Sequence, residues 1–134
     1  MKLSMATELA VRGILVLAGH GDSPPVSLKE ICRVRGLSRD NMTRIFALLT
    51  RARLVNAVRG KNGGYRLARP ASEITLLEVF EAVEGPLALN LCQQDPPQCD
   101  RTDCAMRQVW HELQEQVHAA LAEKTLEDFA CVLP

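Results

Sequence analysis

Two short helical segments lead directly into a glycine-rich, positively charged hairpin, and that order restricts the fold more than any other feature of the chain. Leu54-Val55-Asn56-Ala57-Val58 reads as a strand, Arg59-Gly60-Lys61-Asn62-Gly63-Gly64 as a cationic turn, and Tyr65-Arg66-Leu67 as the returning strand. Asn-Gly between extended runs is a strong hairpin signal, because both central positions of the tightest turn need positive φ. Upstream, Ser27-Leu28-Lys29-Glu30 has the form of a capping box and opens a short helix that Gly36 ends. Ser38 is placed to cap the next helix, which runs to about Ala52 with Met42, Ile45, Phe46, Leu48 and Leu49 inward. Ala6, Leu9, Ala10, Gly13, Ile14 and Leu17 recur at helical spacing over residues 4–19 and give a preceding amphipathic helix. Two short helices joined by a glycine turn form a helix-turn-helix, and a hairpin directly after it is a wing.

Charge distribution points to the partner of this unit. The whole chain is neutral, but residues 1–70 hold thirteen Lys+Arg against four Asp+Glu, and residues 71–134 hold three against twelve, so the halves carry +9 and −9. A basic half suggests that this end meets a polyanion. On the recognition helix, Ser38, Arg39, Asp40, Asn41, Thr43 and Arg44 are the exposed early positions. Arg pairs with guanine and Asn with adenine on the major-groove edge. Arg59 and Lys61 at the wing tip are placed to enter a minor groove or to contact phosphate. Double-stranded DNA is therefore the expected partner. No nucleophile–base pair, phosphate loop or H-E-x-x-H motif argues for an enzyme. Arg12 interrupts the apolar stretch from Leu9 to Ala18, and no run is long enough to span a membrane, so the expectation is a cytoplasmic protein with reduced thiols.

The acidic half is organised differently. Thr75-Leu76-Leu77-Glu78 is a second capping box, opening a helix to about Val83. Residues 87–103 lack periodicity and read as a loop, and a long helix begins near Asp103 with Met106, Val109, Trp110, Leu113, Val117, Ala120 and Leu121 as its apolar stripe. A two-fold partner is the simplest cover for such a stripe, which predicts a homodimer. Cys92, Cys99 and Cys104 fall in the loop and at the helix start, spaced C-x6-C-x4-C. Three soft thiolates on a flexible segment can converge on one iron–sulfur or zinc centre. The paired C-x2–4-C spacing usual for structural zinc is missing. Cys32 reads as a core thiol of the second helix, and Cys131 as incidental.

These residues resemble the Rrf family of winged-helix regulators, whose members include the IscR, NsrR and RirA repressors. The resemblance runs through the Met1-Lys2-Leu3 start, Leu37-Ser38, Leu54-Val55, the wing from Arg59 to Ala68, the Thr75–Val79 helix start and the three-cysteine loop before a long helix. The fold it implies is mainly α with a small β-hairpin wing. Residues 1–85 form the DNA-binding domain, 86–104 the cluster loop, and 105–134 the dimerisation helix and tail.

The resemblance also implies a homodimeric regulator, most often a repressor, in which Cys92, Cys99 and Cys104 ligate a 2Fe–2S or 4Fe–4S cluster sensing nitric oxide, redox state or iron. The usual family spacing is five residues in each gap; here the outer separation is kept and the middle cysteine is shifted by one. Iron–sulfur-assembly regulators add a His three residues after the last cysteine, where this chain has Arg107. The nitric-oxide-sensing type is more similar, since it takes a carboxylate, there an Asp, at the position of Glu8 from the second subunit. Glu8 is therefore the candidate fourth ligand, with His111 next. The alternative is a winged-helix regulator that binds zinc or switches through thiol–disulfide chemistry.

Overall fold

The computed structural model describes residues 4–21 and 24–130. Eight elements are named: α1 (Met5–His20), α2 (Leu28–Arg35), α3 (Arg39–Arg51), β1 (Val55–Val58), β2 (Gly64–Leu67), α4 (Leu76–Glu84), α5 (Ala105–Glu123) and α6 (Glu127–Ala130). The mainly helical architecture with one two-stranded antiparallel hairpin matches the sequence expectation. Helix α1 is the centre of the domain, touching α2, α3, α4, α6 and β2. Leu15 and Val16 are buried together with Ala10, Ile14 and Leu17, so its second half is covered over a wider face than the periodicity indicated. Gly13 lies where α1 crosses α3. A Cβ there would stand 2.5 Å from Met42 Cε and 2.8 Å from Phe46 Cε2, so the crossing is too close for a side chain.

The caps are mixed. Ser27 Oγ accepts from the Glu30 N–H at 3.1 Å, but the Glu30 carboxylate turns to Arg33 at 2.6 Å, so only half of that capping box forms. Ser38 occupies the N-cap position of α3, yet its hydroxyl caps nothing, contrary to expectation. At the other end of α3, Leu54 N–H donates to the Leu49 carbonyl while Arg53 takes φ 61°, a left-handed residue that swings the chain into β1. The helix closes on the hairpin through Phe46 and Tyr65, whose ring centroids are 4.7 Å apart.

The wing turns in an unexpected way. Val55 pairs with Leu67 and Val58 with Gly64, which leaves Arg59–Gly63 as the loop. Gly63 N–H bonds the Gly60 carbonyl at 3.0 Å, and positive φ falls on Gly60 (115°) and Gly64 (154°), not on the Asn62-Gly63 pair. A five-residue loop spreads the reversal over its ends, so the two-residue Asn-Gly turn is not used. Gly64 is also required by contact: Val26 exchanges two backbone hydrogen bonds with Tyr65, and a Cβ on Gly64 would lie 2.3 Å from the Val26 carbonyl oxygen.

Thr75 and Glu78 form the complete capping box predicted for α4. Partial burial pushes the Glu78 carboxyl up, but the Thr75 N–H and the Arg69 guanidinium together more than reverse this and hold it below the usual carboxylate range. Helix α5 packs on α4. The chain then returns: Leu76 N–H donates to the Lys124 carbonyl and Leu126 N–H to the Ile74 carbonyl, and Leu126 is buried in the same core as Ile14 and Phe46. Nothing in the residue pattern had signalled that return. Among the described residues, no helix is long and apolar enough to cross a membrane.

Candidate functional site

Helix α3 separates two faces by its period. Met42, Ile45, Phe46 and Leu49 are buried, and Ser38, Arg39, Asp40, Asn41, Thr43 and Arg44 are exposed on one side. Thr43 Oγ1 donates back to the Arg39 carbonyl at 2.9 Å, which leaves its lone pairs for an outside donor. Arg59 and Lys61 are exposed at the wing tip. The structure therefore holds all eight residues on solvent-facing surface of the helix and the wing. It adds Arg66, exposed on β2 opposite Asn56. The sequence reading passed over Arg66, although its polar place in an alternating strand was the available signal.

The three loop cysteines line one cleft at the foot of α5. A cleft of about 250 Å³ is lined by Cys92, Cys99 and Cys104 with Leu91, Arg101, Arg107 and Trp110. The approach of Cys92 and Cys99 has a local cause. The Leu91 carbonyl accepts from Gln98 N–H at 2.9 Å, so residues 92–97 form a closed loop, and Cys92 and Cys99 each follow directly on one of the two residues that close its neck. Cys104 is the N-cap residue of α5. Cys92 Sγ donates to Asn90 Oδ1 at 3.1 Å and receives the Gln93 amide at 3.4 Å. Gln93 in turn bonds His111 Nδ1 at 3.2 Å, and the Leu89 N–H donates to Gln114 Oε1 at 3.0 Å, so amide side chains hold this segment against α5.

None of the four described cysteines is in a disulfide. Among the described residues, no three His, Cys, Asp or Glu side chains stand close enough together to hold a metal ion as they are. Glu8 is exposed on the first turn of α1 and does not line the cleft of its own chain. His111 reaches the site through Gln93, and Arg107 lines it directly. Cys32 is half-buried on α2, packed on the core as expected. Cys131 and Met1–Leu3 lie outside the described residues.

The model of the Rrf2 family, which carries the description iron-dependent transcriptional regulator, matches residues 3–131. This chain belongs to the Rrf2 family. A putative HTH-type regulator of Azotobacter vinelandii, ORF2, is similar to it at 35% identity over 96% of this chain and 78% of that one. The CymR (YrzC) structure, the global cysteine regulator of B. subtilis, matches with a TM-score of 0.86 at 27% identity over 100% of this chain and 99% of that one. T. potens IscR matches with a TM-score of 0.79 at 30% identity, covering 96% and 85%. Rrf2-family membership makes the chain a DNA-binding transcriptional regulator and not an enzyme. Its fold is the winged helix of those regulators, with the basic half carrying the helix-turn-helix and wing.

Proposed function

We propose that the chain acts as a homodimer whose grip on DNA is set by an iron–sulfur cluster held by Cys92, Cys99 and Cys104, with Glu8 of a second subunit as the fourth ligand. The observation that carries this reading is the shared cleft: three thiols separated by up to twelve positions line one cavity, against Leu91 and Trp110. The donor set is soft, which suits iron–sulfur ligation, and a carboxylate as fourth ligand is harder and leaves iron more readily. When bound, such a cluster supplies a centre that reacts to redox state and nitric oxide.

The chain's own residues provide the mechanical link. Thr7, beside Glu8, is buried and donates its hydroxyl to Glu84 Oε1 at 2.6 Å, and Ser4 Oγ bonds the same carboxylate. Glu84 is the last residue of α4, followed at once by Gly85 and the cysteine segment. The first turn of α1 is thereby joined to the start of the loop, and α1 packs on both α2 and α3. A pull at the loop reaches the DNA-reading helices through one rigid helix. The α3 face then positions Arg39, Asn41 and Arg44 at base edges, with Arg59 and Lys61 on the backbone.

Anaerobic purification followed by absorption, iron and sulfide analysis tests the reading. Visible cluster bands with matched iron and sulfide are expected, and Glu8→Ala should keep the fold while making the cluster labile or changing its spectrum. An unchanged spectrum with unchanged loss kinetics removes Glu8 from the site. A second reading, regulation by zinc or by the thiols alone, is favoured by the full-length likeness to the cysteine regulator CymR. A protein that stays colourless after anaerobic reconstitution would establish it over the first.

A further inference from the structure

We propose that Arg107, with Arg101 beside it, makes the cysteine cleft a site for negatively charged occupants and fixes the loop segment that closes it. The inference rests on the cleft and not on what metal it holds. Residues 71–134 contain only three basic residues, Arg101, Arg107 and Lys124, in a segment of net −9. Two of those three line the one cleft that also contains the thiols. Chance placement in so acidic a half would sooner pair them with carboxylates, and Asp100 and Asp103 are next to Arg101 in sequence. Yet among the described residues the ion pairs are Arg33–Glu30 and Arg69–Glu78, and neither cleft guanidinium has a carboxylate partner.

Arg107 is half-buried and bonded at each of its polar ends. Its N–H donates to the Cys104 carbonyl at 3.1 Å, its carbonyl accepts from Gln93 Nε2 at 3.5 Å, and Nη1 donates to the Arg101 carbonyl at 3.3 Å. It thus ties the Cys92 segment, the Cys104 cap and the loop between Cys99 and Cys104 to one point on α5. The guanidinium's remaining donors are left for the cleft. An arginine fits this task because its five N–H groups can hold a carbonyl and still present positive charge. Positive charge beside three sulfurs favours the more electron-rich state of whatever they bind.

The test uses the full-length, reduced, metal-free protein. Cysteines are alkylated with iodoacetate or with iodoacetamide, and mass spectrometry gives the rate at each site. The ratio of the anionic to the neutral reagent cancels differences in thiol reactivity and burial, and Cys32 on α2 serves as the internal reference. Each cleft cysteine is compared with itself across the variants, and the ratio at Cys32, which lies in the basic half, should not move when Arg101 or Arg107 is changed. Arg107→Gln should lower it by about threefold, the size of one unit charge acting through partly solvated space. Arg107→Lys should retain most of it, Arg101→Gln should lower it less, and high salt should flatten it. Unchanged ratios in both Gln variants overturn the proposal, as does a Lys variant that falls as far as the Gln variant. If Arg107→Gln fails to fold, the exposed Arg101→Gln variant and the salt dependence carry the test. Where a cluster can be assembled, Arg107→Gln should also move its reduction midpoint negative, with Arg107→Lys restoring it. Failure to assemble a cluster would count against the proposed function and leave the alkylation result standing.

Discussion

The core around α1 and the long helix α5 solve the burial problem in opposite ways. One core closes within the chain: Ile14, Ile31, Met42, Phe46, Leu49 and Val55, drawn from the four consecutive elements α1 to β1, are completely shielded or nearly so, and Ile74, Val79 and Leu126 complete the same cluster. Helix α5, the longest in the chain, has no buried residue. Trp110, Gln114, Val117 and Leu121 are half-covered on the side that meets α4, while Met106, Val109 and Leu113 are 46, 42 and 41% exposed on the other. A helix with one stripe on its own domain and a second stripe in water is unfinished in a single chain. The core is therefore closed within a single chain, and α5 is left to be completed by something else, which we take to be a second copy.

The sharpest way to break this contrast is to damage each half and compare what is lost. Phe46→Ala removes a fully shielded ring that supports Gly13, Met42 and Tyr65 at once. It should destabilise the chain by about 3–5 kcal/mol, read by denaturant unfolding. A loss under about 1 kcal/mol would mean that the core is not closed as described. Leu113→Glu should behave in the reverse manner. Single-chain stability should hardly change, because the side chain already faces water, while self-association should weaken by about 2–4 kcal/mol per dimer as two charges enter the interface. Sedimentation across a concentration series separates the two effects. A dimer of unchanged affinity would mean that this stripe is covered by some other partner.

Function sharpens the same comparison at smaller amplitude. Arg59→Ala on the wing tip should weaken binding to all DNA sequences alike and lower the salt slope by about 1, since it removes one phosphate contact. If the slope is unchanged, the wing does not touch the DNA backbone. The acidic half should not show this behaviour: a substitution such as Glu112→Gln, on exposed α5, leaves the slope where it was.

Sequence periodicity exposed the first half well, because each helix there buries a stripe and the stripe is visible as spacing. It also located α4 and its capping box, where Thr75 and Glu78 satisfy each other's backbone groups locally. It failed wherever the deciding contact was distant or conditional. The wing was assigned to an Asn-Gly turn because the dipeptide favours one, but the close approach of Val26 fixes the register and demands glycine at Gly64 instead. The return of Leu126 to the core left no local trace, since one leucine in a short turn has no period. The cysteine spacing pointed to three thiols near one another, but the cleft they share depends on the Leu91–Gln98 neck and on the Gln93 amide, which follow from folded backbone and not from spacing. Glu8 stands furthest from legibility, because its proposed role needs a second chain.

The smallest expected effect tests the seam between the halves. Glu78 links the end of the wing to the start of α4: it accepts from Thr75 N–H at 2.9 Å and from Arg69 at 2.6 Å, and these hold its carboxyl below the 4.5 of a free glutamate despite partial burial. A carboxyl whose folded value is depressed contributes stability that is present in full above the unfolded value and is lost as the pH falls through the folded one. Wild-type stability should therefore be level near neutrality with respect to this group and should decline below about pH 4.5. Glu78→Gln should lower stability near neutrality by about 0.5 kcal/mol, a small figure because the pair is 38% exposed on both sides and water screens it. Its distinguishing mark is the pH profile: the gap between wild type and variant should close in acid, where the wild-type carboxyl is neutral as well. A gap that stays constant from pH 7 to pH 3 would mean that the side chain's shape, and not its charge, secures the seam.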